Sequence, residues 1–300
     1  MLKSITVINA LGDVLKLDLW SPESSGYIVR KAGGLGPVKA TINTSTLATM
    51  DGDIFNSARA GGRNVVLELG FLGSRDIAQL RRQTYQWFPL KGRVDLLIES
   101  DTRIYTTYGY VESNEPVIFD SVTGTQISIV CPDTYLMDAD GDGRMSTYMY
   151  GVDPLFEFPF ENDSLTAKTI IMGEARHIVE ATVFYEGDSN PGLVVEMFIT
   201  GTVVSPSIHN LQTLEKIQID STKIPGGIVA GDKITIVTEK GSKSATLLRN
   251  GASINILNSL GREINWFTLD KGDNLFAYTA VSGAPAIQAI ITNKVLFEGV

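Results

Sequence analysis

The chain has 300 residues, more than one hydrophobic core usually organises, so two domains are expected. Hydrophobic residues at 43% and charged residues at 20% exclude a disordered chain and allow a sizeable core. A formal charge of −9 excludes a surface that grips nucleic acid by neutralising phosphates, although an acidic wall can face DNA without holding it.

In chain order, Ser4 to Ile8 and Val14 to Leu19 read as a strand pair around Gly12-Asp13. Gly33-Gly34-Leu35-Gly36-Pro37 is a loop signal, and Met50-Asp51-Gly52-Asp53 is a turn. Val65, Leu67, Leu69 and Phe71 alternate with Asn64, Val66, Glu68 and Gly70, the pattern of a half-buried strand. Gly73 breaks it. Ser74 is placed to cap a helix, and Asp76 favours its positive start. Ile77, Leu80, Thr84 and Trp87 then share one helical face until Pro89 and Gly92 stop the run. Strands follow at Val94 to Ile98, at the Tyr- and Thr-rich Ile104 to Val111, and, after a turn at Ser121 to Gly124, at Gln126 to Cys131.

Residues 138–163 change character, with Asp- and Gly-rich stretches and Phe156-Glu157-Phe158-Pro159-Phe160. They predict an N-terminal domain over 1–150, a connector over 151–165 and a second domain over 166–300. The second domain reads as all β. Strands are predicted at Val179 to Tyr185, Val195 to Ile199, Ile234 to Thr238, Ser244 to Leu248, Trp266 to Leu269, Leu275 to Thr279, Ile287 to Ile291 and Lys294 to Phe297. Short strands at even spacing, with Gly and Asn turns, predict a sandwich or jelly roll. The single cysteine, Cys131, excludes an intrachain disulfide and reads as a small buried hydrophobe. No run approaches the roughly 18 apolar residues of a membrane span, and Met1 to Val7 has no leader-like apolar region, so a cytoplasmic site of synthesis is expected.

Catalytic motifs are missing. There is no P-loop, no H-E-x-x-H, no cysteine zinc site and no nucleophile elbow, and no spacing singles out a carboxylate pair for glycoside hydrolysis. His177 and His209 are far apart and both read as structural, His209 in a turn formed by Pro206-Ser207-Ile208-His209-Asn210. Asp138, Asp140 and Asp142 match the start of a calcium loop, with three carboxylates at alternate positions. The twelfth position is Met149 rather than the closing Glu, so a calcium site and a plain acidic turn both stay open. Arg59, Arg63, Arg75, Arg81, Arg82 and Arg93 stand out in an acidic chain and read as partners in ion pairs between subunits. Arg63, Arg81 and Arg82, with Tyr105 and Tyr108 of the Tyr/Thr strand, are the interface candidates. Trp266 and Tyr278 lie on predicted strands and are either core or, if exposed, platforms for a sugar ring.

In order, Gly34-Leu35-Gly36-Pro37, Asp51-Gly52, Arg63-Asn64, the helix Asp76 to Trp87, the strands Arg93 to Val111 and Ile127-Ser128-Ile129-Val130-Cys131-Pro132-Asp133 resemble the distal tail proteins of long-tailed, siphovirus-type bacteriophages. So do Pro206 to Asn210, Gly231 to Ile236, Leu269 to Asn274 and Leu296-Phe297-Glu298-Gly299-Val300 in the second half. One departure is Pro132-Asp133-Thr134-Tyr135, where the family often shows Asp-Pro-Tyr. The resemblance implies a mainly β chain: an N-terminal β-barrel-like ring domain with one α-helix and a β-hairpin, and a C-terminal galectin-like β-sandwich. It implies a non-catalytic structural protein of the virion tail tip. Six copies would form a ring between the tail tube protein and the tail-associated hub protein. DNA would pass the lumen without specific binding, and receptor-binding or side-fibre proteins would attach outside. The other reading is a carbohydrate-binding module for host cell-wall glycans. No cofactor is implied beyond the open calcium loop.

Overall fold

The computed structural model describes residues 1–49, 51–117, 123–154, 173–177, 179–261 and 264–300. The chain forms two units, Met1–Gly143 with Leu296–Val300, and Arg144–Val295. The division therefore falls after Gly143 rather than at 150, because the next residues already pair within the second unit. The first half of the predicted turn at 121–124 and most of the predicted connector lie outside the described residues.

The first unit contains β1 (Leu2–Asn9), β2 (Val14–Asp18), β3 (Tyr27–Gly33), β4 (Ala40–Thr46), β5 (Asp53–Ala60), β6 (Arg63–Phe71), α1 (Ile77–Trp87), β7 (Arg93–Ser100), β8 (Ile104–Val117), β9 (Gly124–Cys131) and β10 (Leu136–Asp138). Its main sheet runs β2-β1-β7-β8-β9-β6-β3, antiparallel at each step. β10 pairs with β8 and with a terminal strand, Leu296–Phe297. Residues of β2 and β3, the two ends of the path, approach within 8 Å at Cα, so the sheet curls towards a barrel without a closing ladder. The alternation read from the sequence sets the interior. Ile5 and Val7, Val94 and Leu96, Ile127 and Ile129, and Val65, Leu67 and Leu69 all point inward and are fully buried. Each contributes on the order of 1.5–3 kcal/mol by leaving water.

The helix covers this core with Leu80 and Thr84. Its cap is Asp76, which accepts from the N–H groups of Ala78 and Gln79 at 2.9 and 3.3 Å, and not Ser74. The chain first makes a turn, closed by Arg75 N–H to Leu72 O at 3.1 Å, which carries Ser74 away from the helix start. Tyr27 donates its hydroxyl to Leu80 O at 2.9 Å, fixing the helix to β3. Burial pushes that phenol up to about 12.

The second unit holds β11 (Arg144–Tyr148), β12 (Tyr150–Pro154), β13 (Gly173–His177), β14 (Glu180–Tyr185), β15 (Leu193–Ile199), β16 (Val204–Asn210), β17 (Glu215–Gln218), β18 (Lys233–Val237), β19 (Ser244–Arg249), β20 (Ala252–Asn255), β21 (Gly272–Ser282) and β22 (Ile287–Lys294). A six-stranded sheet, β11-β22-β15-β18-β19-β20, and a four-stranded sheet, β14-β21-β16-β17, supply the inward side chains. Tyr278 of the smaller sheet donates to Ile287 O of the larger at 3.1 Å, and Phe267 meets Phe276 edge to face at 5.6 Å. This is the expected sandwich.

Two local readings change. Pro206 to Asn210 is part of strand β16, not a turn. Ser205 takes a φ of 46°, a local irregularity that admits Pro206 into the strand. Trp266 to Leu269 alternates like a strand, and Phe267 and Leu269 are buried, but it joins no ladder. Its carbonyls and N–H groups find single partners instead, Phe267 O from Thr238 Oγ1 and Leu269 N–H to Pro191 O.

Within this unit Arg249 grips Asp232 through two bonds, Nε to Oδ1 at 2.8 Å and Nη2 to Oδ2 at 2.7 Å, and also donates to the carbonyls of Pro225 and Gly227. The bonds from Arg249, together with the Val229 N–H, hold the buried Asp232 carboxyl below its usual value. A carboxyl lowered by folding adds stability that is complete above the unfolded-state pKa of about 3.9 and is lost as pH falls through the folded one. Acid denaturation of the full chain should therefore show a destabilising limb below that pH. Asp232→Asn should flatten the limb and cost about 3 kcal/mol at neutral pH in urea titration.

Candidate assembly surface

Arg63 opens β6 directly after Gly61-Gly62 and is 1% exposed. Its Nη1 donates to Gly34 O at 2.9 Å. Its Nε and Nη2 both donate to Thr134 O, at 3.1 and 2.8 Å, and Nη2 also reaches Glu298 O at 2.9 Å. Burial pulls the guanidinium below its ordinary value. The expectation that Arg63 faces a neighbouring subunit is corrected: its donors are spent inside the unit, tying three separate loops together. Backbones crowd around it. A Cβ on Gly34, at φ +78°, would sit 1.9 Å from Asn64 O, and one on Gly62 would sit 2.6 Å from Cys131 O. Thr134 Oγ1 adds a bond to Gly61 O at 2.7 Å.

This knot is the root of a ribbon. β4 and β5 form a sheet of their own, outside the main one. Every described residue from Ala40 to Arg59 is exposed, including Ile42 at 61% and Phe55 at 63%. The register pairs Ala40 with Ala60, Ile42 with Ala58 and Thr44 with Phe55, which places Ile42, Ala58 and Phe55 on one face. Thr41 and Arg59, Asn43 and Ser57, and Ser45 and Ile54, the last 42% exposed, fall on the other. The sequence showed only the turn at its tip. Its strands were missed because their alternation is built from Ala, Ser, Thr and Asn rather than large apolar residues. An isolated two-stranded ribbon is marginal in water, and an apolar face on it calls for a partner.

The outer face of the main sheet carries a second exposed apolar feature. Val14 lies opposite Ile8, which lies opposite Asp95, and Asp95 lies opposite Tyr108. Tyr110, two residues on, lies opposite Val130. Val14, Tyr110 and Val130 are 58%, 45% and 41% exposed, and Tyr108 lies half-buried under the Arg93 guanidinium, 4.7 Å from the ring centre. Tyr105 points the other way. It is buried edge to face against Phe297 at 5.4 Å, which removes it from the interface candidates. Arg82 is exposed and Arg81 half-buried on α1.

The remaining candidates are scattered. Asp138 is buried, pairs with Arg103 at 3.3 Å and accepts from Asp140 N–H at 3.0 Å. Asp140 is exposed, the Asp142 side chain lies outside the described residues, and no group of three metal-ligating side chains occurs among the described residues. Tyr278 is 1% exposed, so its expected role as a sugar platform is corrected to that of a core residue. Trp266 is half-buried with Lys243 Nζ 5.4 Å from its ring. His209 shares a hydroxyl network with Ser207 and Thr279 at 2.9 and 3.1 Å, and burial lowers its pKa. Among the described residues no helix is long and apolar enough to cross a membrane.

No protein-family model and no curated protein matches the chain. Its fold is similar to that of a phage hub protein. The crystal structure of the Dit protein of phage SPP1, from the hub adsorption apparatus of phages infecting Gram-positive bacteria, matches 97% of this chain and 98% of its own, with a TM-score of 0.62 and 12% identity. Two structures of the phage P2 baseplate in its activated conformation, with calcium and with strontium, cover 98% and 97% of this chain and 99% and 98% of their own. Both are 10% identical, and TM-scores of 0.42 and 0.39 are too low to bear on the fold.

Arg63→Met should leave the carbonyls of Gly34, Thr134 and Glu298 without this donor and cost about 3 kcal/mol or more, read as a lowered Tm of the full chain. Arg63→Lys should restore little of it, since an ammonium cannot reproduce the fork. Gly34→Ala should destabilise by about 2 kcal/mol or more, from both the clash and the left-handed backbone.

Proposed function

We propose that this chain is the distal tail protein of a long-tailed phage. It is a structural, non-catalytic component of the tail tip. Six copies form a ring that joins the tail tube to the hub, leaves a lumen for DNA and offers its outside to host-adsorption proteins. The observation that carries this reading is the likeness to SPP1 Dit over both whole chains. The ribbon supports it: an arm with exposed apolar side chains and no partner in its own chain among the described residues is suited to a neighbouring copy. A contact between an arm on one side and a different surface on the other is heterologous, and such contacts close into rings when the rotation allows. The overall charge of −9 suits a lumen that lets DNA slide.

Light scattering on the purified protein should give a hexamer mass, and negative-stain images should show six-fold rings. A monomer at all concentrations up to the millimolar range overturns the reading. The double variant Ile42→Asp, Phe55→Asp should stay monomeric with an unchanged Tm, because both side chains are already in water.

A further inference from the structure

Of the three tryptophans, Trp87 and Trp266 are half-buried and Trp20 alone is exposed, at 65%. Trp20 follows β2 and lines a groove of about 380 Å³ in the first unit. The other walls of this groove are mostly polar. The register sets Ser4 of β1 opposite both Asp18 of β2 and Glu99 of β7, so the two carboxylates flank one hydroxyl. Beyond them Lys16 pairs with Glu99, while Lys3 and the Met1 amine pair with Asp101. We propose that this groove binds a neutral saccharide, with one pyranose ring stacked on the Trp20 indole and its hydroxyls bonded to the carboxylates of Asp18 and Glu99. The site is separate from Trp266 and Tyr278 of the second unit, and it does not depend on the ring.

Three features select this ligand. The first is charge. Asp18, Glu99 and Asp101 are matched by Lys3, Lys16 and the Met1 amine, so the groove has no net charge with which to draw in a phosphate or a polyamine. The second is spare acceptor capacity. Ser4 Oγ and Lys16 Nζ both donate to Oε2 of Glu99, at 2.9 and 3.4 Å, which leaves Oε1 without a partner among the described residues. The N–H groups of Trp20 and Ser21 both donate to Oδ1 of Asp18, at 2.9 and 3.0 Å, which leaves Oδ2 in the same state. The Ser4 hydroxyl, and Lys16 beside it, hold the Glu99 carboxyl below its usual value, so it is a charged acceptor at neutral pH. Bonds from sugar hydroxyls to such oxygens are the stronger, charge-assisted kind. The third is preorganisation. The bonds to Asp18 fix the backbone that carries the indole, which lowers the ordering cost of binding. A pyranose has an apolar C–H face and a polar rim, and an aromatic ring beside fixed polar groups matches both. An indole near carboxylates also suits a quaternary ammonium, but here two lysines and an amine oppose a cation.

The test uses the full chain at neutral pH. Titration with glucose, galactose, N-acetylglucosamine and their disaccharides, followed by saturation-transfer NMR and tryptophan fluorescence, should find a binder with a Kd on the order of 1 mM. Trp20→Ala should weaken that binding about tenfold or more, and Trp20→Phe, which keeps a ring, should retain most of it. Both should leave Tm unchanged, because the indole is already in water. Glu99→Gln should weaken binding about threefold or more, since a neutral acceptor replaces a charged one. Trp266→Phe, in the second unit, should leave the affinity as it was. The proposal is overturned if none of these sugars binds, or if binding is indifferent to Trp20→Ala. Tighter binding of choline than of any sugar also overturns it and makes the groove a cation site. A monomer that binds sugar through Trp20 keeps this site while removing the ring, and rings that bind none do the reverse.

Discussion

The first unit depends on a single buried cation. Among the described residues the fork of Arg63 reaches no carboxylate, only the carbonyl oxygens of Gly34, Thr134 and Glu298. Placing a guanidinium there costs solvation, and only several well-aimed carbonyl dipoles can offset that cost. The need for three carbonyls at hydrogen-bond distance forces the backbones together, and that forces glycine at 34 and 62, where a side chain would collide. The ribbon leaves the unit between these anchors, at Ala40, and returns at Ala60.

Several fragments of the sequence look unrelated until the fold brings them together. Gly34-Leu35-Gly36-Pro37, Arg63-Asn64, Pro132-Asp133-Thr134-Tyr135 and Leu296 to Val300 are each a weak local signature. In the fold they meet around one side chain. Gly299 even approaches Gly36 so closely that an added Cβ would lie 2.9 Å from its Cα. The order of the fragments carries this information, but the physical reason for it, a shared hydrogen-bond donor, is non-local and has no periodicity to reveal it.

What was legible followed from burial. The strands with large alternating apolar residues, β6, β7, β9, β15 and β22, and the one helix were readable because period 2 and period 3.6 leave clear traces. The ribbon was not, since neither face packs on the core and its residues are small. Arg63 reads as an interface residue because an arginine in an acidic chain is normally exposed. Tyr105 and Tyr278 are misplaced by sequence for a related reason: a tyrosine is equally at home on a wet face or, with its hydroxyl satisfied, in a core. Only the register separates Tyr105, facing in, from Tyr108, facing out.

The third carbonyl that Arg63 binds is supplied 235 positions later in the chain. Between them the ribosome must make the entire second unit, whose strands all lie within residues 144–295 and can pair as they emerge. The barrel root stays open throughout, with a buried cation lacking part of its ligation, until Leu296 to Glu298 leave the exit tunnel. A polypeptide released early would carry a finished sandwich and an unlatched arm. The latch thus makes completion of the first unit wait for residues translated after the whole of the second.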